Sequence, residues 1–142
     1  MIDLPHAGEN EWISTLKPYQ SSVIESLLKK GTEEQALDLW LTSSGPIKTS
    51  PFGGGSFEQN TKKEFLINFK LEFKALVCGD AKYEKDRESL NKIGNNAKTY
   101  IVSTISAIIA ASLGTTAAFI APAVVLMLMI ISKMGVNAWC AL

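Results

Sequence analysis

The sequence predicts an all-α protein in two parts. Residues 1–96 read as a small helical cytoplasmic domain, and residues 97–142 as a hydrophobic helical hairpin of two short transmembrane helices. Three observations carry that reading. Apolar residues recur at i, i+3 and i+4 between recognisable helix caps. All charged residues but one lie at or before Lys98, and the 34 residues between Lys98 and Lys133 carry no charge. Of those 34 positions 24 are apolar, and the rest are Ser, Thr, Gly and Pro. Whole-chain averages hide this division, because 14 basic and 14 acidic residues cancel and a 46% hydrophobic content is ordinary for a globular chain.

The elements follow in order. Pro18 suits a first helical position, and the stripe Val23, Ile24, Leu27, Leu28 stops at Gly31, which predicts a helix over 18–30. Thr32 and Gln35 form a capping box for the next helix, whose apolar face is Leu37, Trp40 and Leu41 and whose end is Gly45-Pro46. Residues 44–56 read as a mobile loop. Gly45–Thr49 within it lacks the second glycine of a phosphate cradle, and Pro46 removes a backbone donor, so a linker is the better reading. Ser56 and Gln59 make a second capping box ahead of the longest amphipathic stretch. Its apolar stripe is Leu66, Phe69, Phe73 and Leu76, widened by Phe65 and Val77. Gly79 fits a helix C′ position and Asp80 an N-cap, predicting a helix through Tyr83, Arg87, Leu90 and Ile93 that breaks at Gly94-Asn95-Asn96.

The charge-free run has two possible breaks, Gly114-Thr115-Thr116 or Pro122 at the first position of a second helix. Each gives two antiparallel helices of roughly 15–20 residues, against the roughly 20 that a span requires. Two spans therefore fit only if the helices run from Ala97 to Trp139. Tyr100, Lys133 and Trp139 then become interface anchors, and Lys92, Lys98 and Lys133 on one side make both termini cytoplasmic. Ser106, Ala110 and Gly114 form a row of small residues, with Ser103, Ala107 and Ala111 beside it, as close packing in lipid needs. The face Thr99, Ser103, Ser106, Ala110, Gly114 either lines a narrow pore in a ring of protomers or packs helices together. The competing reading makes the hairpin the buried core of a soluble bundle, covered by the helices at 18–30 and 57–78.

Charge is polarised before that run: residues 1–59 carry net −4 and residues 60–98 net +3. Lys62, Lys63, Lys70 and Lys74 are candidates for contact with an anionic ligand or lipid headgroup, beside the plainer reading of a solvated helix face. No aromatics interleave with these lysines, so duplex nucleic acid is not an expected partner. The inventory holds two cysteines, Cys78 and Cys140, and one histidine, His6. A zinc site lacks ligands, no cofactor is indicated and no enzyme is expected. A Cys–His pair has no spacing to support it. A reducing compartment is the simpler assumption for so few cysteines, and the N-terminal residues have no signal-peptide pattern.

In architecture the chain resembles the small two-helix membrane effectors of bacterial anti-phage systems, on the strength of the stretch Tyr100–Ser132 and the compact part before it. The resemblance implies an oligomeric effector in the bacterial inner membrane that forms a gated pore or ion channel. It implies as partners membrane lipid, further copies of the chain, and a nucleotide or oligonucleotide signal or a partner protein. No functional residue is carried over. Phage holins share the outline. The competing class is a cytoplasmic all-α interaction module or assembly subunit.

Overall fold

A computed structural model describes residues 8–43, 55–92 and 98–142, with side chains except at 9, 43 and 55–62. Among these residues all regular structure is helical: α1 Glu9–Ile13, α2 Pro18–Lys30, α3 Glu33–Ser43, α4 Gly55–Cys78, a 3-10 turn Ala81–Tyr83, α5 Glu84–Asn91, α6 Lys98–Leu113, α7 Ala117–Met134 and α8 Val136–Cys140. The ends expected from Gly45-Pro46 and Gly94-Asn95-Asn96, the loop up to residue 54 and His6 lie outside the described residues.

Local chemistry sets the boundaries. Pro18 occupies the first turn of α2 and Gly31 ends it. The capping box of α3 forms in both directions, Thr32 N–H donating to Gln35 Oε1 at 3.0 Å and Gln35 N–H to Thr32 Oγ1 at 3.3 Å. Gly31 has an extended φ of −176°, and a Cβ there would lie 2.1 Å from Gln35 Oε1, so a larger residue would have to displace the Gln35 amide that completes the capping box. The helix expected to open at Ser56 begins within one residue of it, at Gly55. Gly79, at φ 108°, ends α4, and Asp80 N–H closes back on the Ala75 carbonyl at 3.0 Å. The single helix expected from Asp80 to Ile93 is instead the 3-10 turn, capped by the Asp80 side chain on Lys82 N–H, followed by the short α5. Arg87 explains the packing there. It is 7% exposed, and its guanidinium donates to the carbonyls of Ala75 (3.2 Å), Leu76 (3.1 Å) and Asp80, satisfying the open C-terminal end of α4.

The turn between α6 and α7 is Gly114-Thr115-Thr116, with Gly114 at φ 71° and Thr116 Oγ1 accepting from Phe119 N–H. Pro122 lies inside α7 rather than at its start. The architecture is built around α7. It packs along α6 and is covered by α1, α2, α3 and α8, while α4 packs on α3, α6 and α8. Every residue from Pro122 to Met129 is buried. A surface helix needs only one apolar stripe; a helix buried all round must be apolar all round.

Two expectations change here. Among the described residues only α7 is long and apolar enough to cross a membrane, because α6 has 16 residues. The pair of spanning helices is therefore not met, and the covering of α7 is supplied by the chain itself. The cysteines also differ from the expectation of unbridged thiols in a reducing compartment. Cys78 at the end of α4 and Cys140 at the end of α8 form a disulfide, with Cα atoms 5.6 Å apart. In this state neither thiol is available as a nucleophile.

Candidate functional site

The site is α7 and the side chains that fasten the other helices to it. Pro122 has no N–H, so within a helix it leaves the Ala118 carbonyl without its usual donor. Gln20 of α2, 4% exposed, supplies one: its Nε2 donates to Ala118 O at 2.7 Å. One residue on, Trp40 Nε1 of α3 donates to Phe119 O at 2.9 Å. The Trp40 ring also stacks on Phe119, with centroids 5.9 Å apart and planes at 21°. Phe65 of α4 packs on the same ring from 5.9 Å. At the far end of α7, Trp12 Nε1 of α1 donates to Ser132 Oγ at 3.1 Å, and Lys133 pairs with Glu33 of α3. Lys98 at the start of α6 pairs with Glu11 of α1, whose carboxyl it holds below the usual range by hydrogen bond and charge.

The polar fastenings thus sit at residues 118–119 and 132–133, and the side chains of residues 120–131 are apolar. Helices α1 to α3 act as a cap held at both ends of α7. Gln20→Ala leaves the Ala118 carbonyl without its donor, and the expected cost is about 1 kcal/mol. Urea midpoints of the variant and the parent measure it.

On the opposite side, the Tyr83 hydroxyl donates to Glu72 of α4 and lies 2.7 Å from Ser112 Oγ of α6. Lys82 Nζ lies 3.0 Å from both Glu72 oxygens. The Tyr83 hydrogen bond is the main cause that holds the Glu72 carboxyl below its ordinary range; burial opposes it and Lys82 assists. Burial first, then Glu72, pushes the Tyr83 hydroxyl up. These groups satisfy one another and tie α4 to α6. A carboxyl depressed in the folded state stabilises above its unfolded pKa of about 4.3 and loses that contribution as pH falls through the folded value. Glu72→Gln is therefore expected to make the acid fall in stability shallower below about pH 4.3, read from urea midpoints against pH.

The sequence-derived candidates distribute unevenly. Ser106 (1% exposed) and Ala110 (3%) are buried, Thr99 and Ser103 are exposed, and Gly114 is in the turn. The stripe runs along the border between the buried and open sides of α6. Ser106 Oγ donates to the Val102 carbonyl of its own helix at 2.6 Å. On α4, Lys63 is exposed, Lys70 pairs with Asp38 at 3.4 Å, and Lys74 Nζ donates to Leu142 O at 3.1 Å. The side chain of Lys62 lies outside the described residues. Tyr100 is exposed, whereas Trp139 packs edge-on against Phe73, centroids 6.0 Å apart. Among the described residues no cluster of His, Cys, Asp and Glu could hold a metal ion.

Gln20, Trp12 with Ser132, the disulfide and the Glu72–Tyr83 pair were not anticipated. Gln20 had a signal: it lies on the register of Ile24 and Leu27, and Pro122 in an apolar helix demands a donor for Ala118. Fold and site together define an all-helical bundle closed around one apolar helix. No protein-family model, curated protein or solved structure matches the chain.

Proposed function

We propose that the protein is a latent membrane effector. Its α6–α7 pair is stored inside the bundle and inserts into a membrane when the α1–α3 cap is displaced, and inserted copies assemble into a gated pore. The observation that supports this most is α7 itself, an 18-residue helix whose central residues are apolar on every side and whose polar attachments to the cap are confined to its ends. Released from the cap, α7 carries no charge before Lys133, which at the helix end can snorkel to the headgroups. The 16 residues of α6 span about 24 Å, short of the roughly 30 Å hydrocarbon core, and need local thinning or flanking residues. Within the stripe Thr99, Ser103, Ser106, Ala110, Gly114, the Ser106 hydroxyl is already bonded to its own helix and is able to face another copy without losing its partner.

The setting we infer is a bacterial inner membrane and anti-phage immunity, with a nucleotide, oligonucleotide or protein acting on the cap. Insertion then follows a shift between two packings of one chain.

Dye release from vesicles tests this. The double variant Gln20→Ala/Trp40→Phe, which loosens the cap, should release dye faster than the parent. Equal and negligible release from both proteins, each a monodisperse species in detergent-free buffer, would favour a second reading, an all-α interaction module with α7 as ordinary core. The complete covering of Pro122–Met129 by the chain's own helices is what speaks for that alternative.

A further inference from the structure

We propose that the outward face of α4 is a docking surface for an anionic lipid leaflet, a property that stands whether or not α7 ever inserts. Lys63, Ile67, Lys70, Leu71 and Lys74 fall within one arc of about 100° on this helix, given its period of 3.6 residues. Ile67 is 56% exposed and Leu71 61%, although the opposite face buries Phe69, Phe73 and Leu76 completely. The bond from Lys74 to Leu142 O brings the chain's last residue, 77% exposed, to the end of the same stripe. Three apolar side chains thus alternate with three ammonium groups on one open surface. Lys70 shares its charge with Asp38 at 3.4 Å, Lys74 is bonded to Leu142 O at 3.1 Å, and Glu64 borders the stripe beside Leu71, so Lys63 at one end and the outward side of the exposed Lys74 at the other carry the positive field of the stripe.

Two features select a lipid surface over a free phosphate. From Lys63 to Lys74 the lysines extend along about 16 Å of helix, far more than one phosphate reaches. A small anion would also leave Ile67, Leu71 and Leu142 in water, whereas an interface takes apolar side chains to acyl depth and lysines to headgroups in one pose. A nucleic acid would be served by aromatics among the lysines, and the stripe has none.

The test is co-flotation of the full chain with vesicles of phosphatidylcholine alone or with about 30 mol% phosphatidylglycerol. Binding is expected only to the anionic vesicles, falling with salt and reversed by an alkaline wash, which distinguishes docking from insertion. Lys63→Gln/Lys74→Gln should weaken it by about five-fold per lysine, and Ile67→Ser/Leu71→Ser should weaken it without altering the salt dependence. All four positions are exposed, so the melting temperatures of both variants should match the parent. Equal binding to both vesicle types, binding unchanged by both variants, or displacement by millimolar inorganic phosphate or by duplex DNA at constant ionic strength would overturn the proposal.

Discussion

Trp12→Ala will lower the unfolding free energy by about 3–5 kcal/mol, a large share of what a domain of this size possesses. Trp12 is fully buried, and α1, the helix that carries it, packs directly on α7. Truncation removes the largest side chain of α1 from the core and leaves Ser132 Oγ without its indole donor. Trp12→Phe separates the two losses, since it keeps most of the ring volume and forfeits the hydrogen bond, for a cost nearer 1 kcal/mol. Equilibrium urea unfolding measures both. Equal, small effects would mean that α1 is not a working part of the cover over α7.

The second large effect belongs to the disulfide. Cys78 and Cys140 are 62 residues apart in sequence, and closing a loop of that length removes about 4 kcal/mol of chain entropy from the unfolded state. Cys78→Ser/Cys140→Ser, or reduction of the parent by a dithiol, is expected to lower stability by that order. The Ser variant should be indifferent to reductant. The loosened part should be α8, whose Trp139 rests on Phe73 and whose Cys140 is its tie to α4. Hydrogen exchange in residues 136–140 should therefore rise before that of α4. Unchanged unfolding midpoints in the Ser variant would contradict the assignment.

Helices α2, α3 and α4 were legible because their signals are local. Pro18, Gly31 and the Thr32–Gln35 box each act over a few residues, and all three appear in the structure as the sequence implies. The apolar stripe of α4 was legible for the same reason: periodicity identified Phe69, Phe73 and Leu76 as the buried side. What covers α7 was not legible. An uninterrupted apolar run is equally suited to lipid and to the interior of a bundle, and only tertiary contacts decide which solvent it meets. The fastenings depend on pairs separated by 98 residues for Gln20 and Ala118, and 120 for Trp12 and Ser132, which no local pattern encodes. Arg87 shows the intermediate case. Its place on an apolar stripe was readable, but the three carbonyls that make its burial tolerable are created by the end of another helix.

The small-residue stripe of α6 carries the same ambiguity. Ser106 and Ala110 pack inside this bundle, and the proposed pore would need those same residues to face a second copy. One sequence serving two packings is the essence of the storage proposal. It requires the cap to be separable from α7 without destroying α6 and α7 as helices.

Protease protection on vesicles tests that requirement most directly. Parent protein and Trp12→Ala are each incubated with anionic vesicles, washed with alkali and digested with proteinase K, and the surviving peptides are identified by mass. The account predicts a protected fragment covering residues 99–132 from the cap-loosened variant, and little or none from the parent. Complete digestion of that segment in both proteins, with no peptide surviving the wash, would contradict it.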